Sequence, residues 1–136
     1  MRIRSSVVIV KKEQVVLIRR IRNGSTYFVF PGGGVEKGES LEKAAIREAM
    51  EELGVKVKVK DCIYRLEYED SPQYFFLSEI TSGTLGTGRG EEYRDGIRGS
   101  YKPVWINIQA LSSMDVRPVE VALKVQSLLA SIKGWD

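Results

Sequence analysis

The stretch that most limits what this chain can become is residues 30–55. Phe30-Pro31-Gly32-Gly33-Gly34-Val35-Glu36-Lys37-Gly38-Glu39-Ser40 runs without a break into Leu41-Glu42-Lys43-Ala44-Ala45-Ile46-Arg47-Glu48-Ala49-Met50-Glu51-Glu52-Leu53-Gly54-Val55. The first half is too rich in glycine for a helix, and the second carries helix signals at both ends. Ser40 is a good N-cap, Glu42 sits in the first turn where the dipole favours an anion, and Gly54 is suited to the left-handed conformation that ends a helix. A glycine loop therefore feeds a helix that stops at Gly54.

At 100° per residue, Ala45, Ile46, Ala49, Met50 and Leu53 share an arc expected to pack on a sheet. Glu48, Glu51 and Glu52 lie on the other side, and the i, i+3 and i, i+4 pairs have Cβ atoms roughly 5–6 Å apart. They also occupy the last turns, where the helix dipole disfavours each carboxylate by about 0.3–1 kcal/mol. Mutual repulsion adds roughly 2–3 kcal/mol per pair at an effective dielectric near 20. Either the glutamates form a solvated acidic face, with Lys43 and Arg47 relieving part of the repulsion, or they hold a cation. The loop favours the cation, because Gly32, Gly33 and Gly34 bring bare main-chain amides and carbonyls beside the carboxylates. Oxygen donors without His or Cys suit Mg²⁺ or Mn²⁺ held jointly with substrate phosphates.

The rest of the chain narrows the chemistry. With 136 residues, 43% of them hydrophobic and 29% charged, the sequence reads as one globular domain, 1–136. It contains no histidine, which removes His-based triads, zinc-peptidase motifs and imidazole bases, and leaves acid–base work to carboxylates, Lys, Tyr or metal-activated water. A single cysteine, Cys62, allows neither an intrachain disulfide nor a cysteine zinc site, and its setting reads as a buried strand thiol. A formal charge of +3 attracts anions weakly, and Arg19, Arg20 and Arg22 form the only dense basic group, without the interleaved aromatics of a nucleic-acid surface. The sequence shows no signal peptide and no apolar run of about 18 residues, so a cytoplasmic location away from membranes is expected.

Ile3 to Val10 and Val15 to Ile21 read as strands joined by a turn at Lys11-Lys12-Glu13-Gln14, apolar enough on both faces to lie at a sheet centre. Tyr27 to Phe30 is a short strand ending at Pro31. Val55 to Lys60 alternates like a half-exposed strand and continues towards Tyr68, as one bent strand or two, pairing antiparallel with Gln73 to Ile80. Thr81 to Ser100 carries too many glycines for a regular element and reads as a functional loop. A strand at Lys102 to Ile106, a helical turn at Gln109-Ala110-Leu111 and a helix from Pro118 at its first position to Ile132 complete the chain. The glycines match neither a Walker loop, since Gly38 is followed by Glu39, nor a dinucleotide fingerprint, which needs a glycine at Lys37.

Gly33, Glu39 and Arg47-Glu48-Ala49-Met50-Glu51-Glu52-Leu53-Gly54-Val55, at their spacing, resemble the complete signature of the MutT-like Nudix hydrolases; only Ala49 is smaller than the usual aliphatic residue. The resemblance implies an α/β/α sandwich around a mixed, curved sheet, with the signature helix on one face and the C-terminal helix on the other. It implies metal-dependent hydrolysis of a phosphoanhydride in a nucleoside diphosphate linked to a further group, such as a damaged nucleoside triphosphate or a nucleotide sugar. By the same resemblance, Glu48 and Glu52 are the main metal ligands, Glu51 an additional one and the Gly32 carbonyl a main-chain ligand, while Glu39 and Arg47 tie loop to helix. The proton acceptor is expected among Glu91 and Glu92 of the late loop, with Glu48 or Glu51 as alternatives. Arg20 is placed to reach phosphate, and Tyr27 and Phe28 either stack on a base or pack in the sheet. The proline of ADP-ribose hydrolases and the tyrosine of diadenosine polyphosphate hydrolases are not at their usual spacing, Pro72 and Tyr74 both coming late. A nucleotide-sensing domain without turnover and an RNA 5′-end pyrophosphohydrolase are the competing readings, and a homodimer is compatible with the sequence.

Overall fold

Runs of β-branched residues build the centre of the sheet. The computed structural model describes residues 2–67, 70–86 and 100–133, with side chains as far as residue 131. β1 (Arg4–Lys11) and β2 (Gln14–Arg22) meet in a hairpin, Val10 opposite Val15 and Lys11 opposite Gln14. Val7, Val8, Val15, Val16 and Leu17 are completely buried, as strands covered on both faces require.

Beyond that hairpin the two strands part. β1 takes β4 (Gly32–Gly34) as an antiparallel neighbour and β6 (Gln73–Gly83) as a parallel one. β2 takes β3 (Ser25–Val29) and β7 (Ser100–Asn107), both antiparallel. β5 (Val55–Leu66) flanks β6, and the two-residue β8 (Val116–Arg117) runs parallel to β3. The order β5-β6-β1-β2-β3-β8, with β4 beside β1 and β7 beside β2, is a mixed sheet that forks.

Each face of the fork carries a core. Val7 and Ile9 pack with Ala45, Ala49 and Leu53 of α1 (Leu41–Leu53). Val8, on the opposite pleat, packs with Val121, Ala122 and Val125 of α2 (Val119–Lys133) and with Leu111 of a 3₁₀ turn, Ile108–Ser113. The expected sandwich, helix α1 on one face and α2 on the other, is what forms. Gln126 fixes α2 further, its Nε2 donating to the Ile108 carbonyl at 2.9 Å. Among the described residues no helix is long and apolar enough to cross a membrane.

Three local expectations change. The buried arc of α1 is Ala44, Ala45, Glu48, Ala49, Glu52 and Leu53, while Ile46 and Met50 are exposed; its centre lies roughly 80° around the axis from the arc expected. β5 is one strand with register shifts between Val59 and Tyr64; Ile63 and Tyr64 pack on the α2-side core, and Cys62, expected to be buried, is exposed at the same parity as Lys56, Lys58 and Lys60. Pro118 precedes α2 instead of occupying its first position, its carbonyl accepting from Val121 and Ala122. Leu123 is 53% exposed, an apolar residue of α2 outside the face that packs on the core.

Candidate active site

Glu48 and Glu52 are 8% and 7% exposed, buried in the middle of the helix face that meets the sheet. They fit because the strand they face has no side chains. A Cβ at Gly33 would lie 2.4 Å from Glu48 Oε1, and one at Gly32 would lie 2.5 Å from the Ser5 carbonyl oxygen and 2.1 Å from Ser6 Oγ. The glycines therefore serve first to let β4 lie flat between β1 and the two carboxylates. The Gly32 N–H donates to Glu52 Oε2 at 3.1 Å.

The helix that carries these carboxylates is set by its ends. Ser40 Oγ accepts from the Lys43 N–H at 3.1 Å, and Gly54, at φ 77°, donates to the Met50 carbonyl at 3.0 Å. Both caps form as the sequence requires. Ser5 Oγ, donating to the Leu41 carbonyl at 2.9 Å, pins the first turn to β1.

Arg47 gathers the remaining acids. It donates to both oxygens of Glu39, at 2.8 and 2.9 Å, to the Gly34 carbonyl at 2.9 Å, to Glu48 Oε1 at 2.9 Å and to Glu51 Oε2 at 3.2 Å. Its guanidinium holds the Glu39 carboxyl down at about 2, helped by the Glu36 N–H, and Glu39 in turn raises the Arg47 pKa above its ordinary value. Glu39 and Arg47 thus join loop to helix, and Arg47 offsets part of the repulsion among the glutamates. Glu51 stands apart, its side chain 52% exposed and turned to Arg47.

Where β1 and β2 diverge, the fork leaves a cleft of about 840 Å³. Its walls include Arg2, Arg4, Ser6 and the glycines of β4 on the β1 side, Ile18, Arg20 and Tyr101 on the β2 side, Glu48 and Glu52 of α1, and Arg117 and Glu120 at the β8–α2 junction. Arg20, the residue expected to reach phosphate, lines this cleft, its guanidinium 4.1 Å from the Tyr101 ring centroid and 5.6 Å from that of Tyr27. Tyr27 also carries Arg117 at 4.1 Å, and Phe28 packs on the α2-side core; neither is among the described residues lining the cleft. Glu91 and Glu92 lie outside the described residues. Sequence reasoning passed over Arg2, Arg4, Tyr101 and Arg117. For the first two the sequence offered only the alternation of Arg2, Arg4 and Ser6, which puts them on one side of the strand; that this side opens on the cleft comes from the sheet.

Among the described residues no three His, Cys, Asp or Glu side chains converge to hold a metal unaided. Two buried carboxylates beside a bare main chain nevertheless fit a hard divalent cation, which takes one or two carboxylates and completes its shell with water and phosphate oxygens.

A family model of the NUDIX domain matches residues 1–117. The chain belongs to the Nudix family. Among solved structures, a Nudix hydrolase from Nitrosomonas europaea superposes with a TM-score of 0.74 at 19% identity, covering 96% of this chain and 89% of that one. MutT described from Aliivibrio salmonicida and Vibrio cholerae gives 0.72 at 20% identity, covering 93% and 96%. These likenesses show the Nudix fold. Among curated relatives, the chain is 42% identical over 88 residues to an ADP-ribose pyrophosphatase of Methanocaldococcus jannaschii, covering 60% of this chain and 52% of that protein. It is 33% identical over 79 residues to a putative 8-oxo-dGTP diphosphatase of Bacillus subtilis, covering 57% and 52%. The matched region spans about half the length of these two relatives.

Proposed function

We propose that the chain hydrolyses a phosphoanhydride bond in a nucleoside diphosphate linked to a further group, with Mg²⁺ or Mn²⁺ held by Glu48 and Glu52. The observation that carries this reading is the burial of those two carboxylates against the β4 glycines, at a cleft otherwise lined by arginines. Both acids sit at a helix end that disfavours negative charge, so a divalent cation shared between them would add to what Arg47 already supplies to Glu48 and the Gly32 N–H to Glu52. The names of the relatives, pyrophosphatase and diphosphatase, point the same way.

A divalent cation held there would neutralise charge on the diphosphate and lower the pKa of an attacking water. The chain's own residues do the rest. Glu48 and Glu52 place the charge, and the Gly32 carbonyl is the main-chain ligand that the family resemblance implies. Arg47, held by Glu39, fixes Glu48 through Oε1. Arg4 and Arg20, on opposite walls, offer guanidinium groups that would bind phosphoryl oxygens. Glu51 joins the cation only by turning from Arg47, a subsidiary role. The water's proton would go to a carboxylate, Glu91 or Glu92 of the late segment or Glu48 or Glu51 of α1, as the family resemblance implies.

Purified protein incubated with Mg²⁺ and a panel of nucleotides tests the reading. Metal-dependent release of a nucleoside monophosphate, lost in Glu52→Gln, supports it. Absence of metal-dependent product on every compound sinks it in favour of a nucleotide-binding domain.

A further inference from the structure

The cleft holds more cationic side chains than a two-carboxylate metal site needs. Arg2 and Arg4 enter from the β1 wall and Arg20 from the β2 wall, and among the described residues none of them has a carboxylate within ion-pair distance. Arg117, the fourth guanidinium, is already spoken for by Asp115 at 2.9 Å. Glu120, the remaining acid of the lining, is exposed and pairs with none of the three.

Arg20 is the most constrained of them. It stands in register between Tyr101 of β7 and Tyr27 of β3, with the Tyr101 ring 4.1 Å from its guanidinium carbon. The ring restricts the guanidinium without satisfying its N–H groups, and Arg20 Nε is buried with no acceptor. A buried cationic donor without an acceptor is costly, and a phosphoryl oxygen answers both its charge and its hydrogen bond. A sugar hydroxyl answers only the hydrogen bond.

We infer that the substrate carries a phosphoryl group beyond the diphosphate engaged by the cation, which makes it a free nucleoside triphosphate and not a nucleotide sugar. The inference rests on the hydrolase reading above and deepens it. A terminal phosphoryl has three non-bridging oxygens and two charges, enough to occupy guanidinium groups from both walls. The diphosphate of a nucleotide sugar has one charge per phosphoryl, already shared with the cation, and its sugar leaves the arginines uncompensated.

The test compares kcat/KM for nucleoside triphosphates, ADP-ribose, a uridine diphosphate sugar and a 5′-triphosphorylated RNA oligonucleotide, all with Mg²⁺. Triphosphates are expected to exceed both diphosphate-linked compounds by about tenfold or more, the gain of one charge-assisted contact. Arg20→Gln should erase that preference by raising KM for the triphosphate about tenfold with kcat little changed, and Arg2→Gln, at an exposed position, should shift it in the same direction with unaltered thermal unfolding. Preference for a diphosphate-linked compound, faster turnover of the RNA, or an unchanged preference in folded Arg20→Gln and Arg2→Gln each overturns the inference while leaving the hydrolase reading intact. No metal-dependent turnover on any compound overturns both.

Discussion

Replacing Gly33 by alanine adds one methyl group at the point where strand and carboxylate are closest. The new Cβ would lie 2.4 Å from Glu48 Oε1, 2.5 Å from its Cδ and 2.7 Å from Oε2. Ordinary van der Waals separation is about 3.5 Å, so the carboxylate must retreat by roughly 1 Å. That movement strains the 2.9 Å bond between Arg47 Nη1 and Glu48 Oε1 and shifts the negative charge away from the cleft. A displacement of about 1 Å in a positioned group costs on the order of 10²-fold in rate, or about 2.7 kcal/mol of transition-state stabilisation. Stability should suffer less, by about 1–2 kcal/mol, because one charge-assisted hydrogen bond is weakened and no backbone clash is created. Steady-state kinetics over a range of Mg²⁺ concentrations, with thermal unfolding alongside, separates the two effects. The variant should fold, need more metal and lose kcat/KM by about two orders of magnitude. A folded Gly33→Ala protein with wild-type kcat/KM and wild-type metal dependence refutes the idea that the bare strand exists to seat Glu48.

Two other outcomes follow from the helix ends. Glu39 is held at about 2 by Arg47, below its ordinary value near 4.5, so the tie between loop and helix is fully present above about pH 4.5 and is lost as the pH falls towards 2. The thermal midpoint of the wild type should therefore drop more steeply than that of Glu39→Gln on acidification from pH 5, and parallel curves would contradict it. Gly54 sits at φ 77°, where a β-carbon costs about 1–2 kcal/mol, so Gly54→Ala should lower the midpoint by several degrees while kcat/KM stays near wild type; an unchanged midpoint would show that the cap does not need glycine.

How much of this was legible in the sequence depends on whether the determinant is local. Ser40 and Gly54 could be read because a cap is satisfied within one helical turn. The central position of β1 and β2 could be read because apolar residues on both pleats leave no face for water. The seating of Glu48 and Glu52 could not, since an amphipathic arc assigns carboxylates to solvent. They turn inward only because β4, twenty residues earlier than Glu52, brings glycine N–H groups in place of side chains. Cys62 was placed inside on its local setting alone, yet it shares the parity of Lys56, Lys58 and Lys60, the exposed positions of β5. Arg2 and Arg4 gained their meaning from the fork between β1 and β2, a feature of the whole sheet that no stretch of either strand encodes alone.

The central claim is that Glu48 and Glu52 together hold a divalent cation shared with a pyrophosphate group. Binding of Mn²⁺, followed by electron paramagnetic resonance in the presence of imidodiphosphate, addresses it without relying on turnover. Wild-type protein should bind the ion, and Glu48→Gln and Glu52→Gln should each weaken binding by about tenfold or more while remaining folded. Equal Mn²⁺ affinity in the wild type and in both variants would contradict the account.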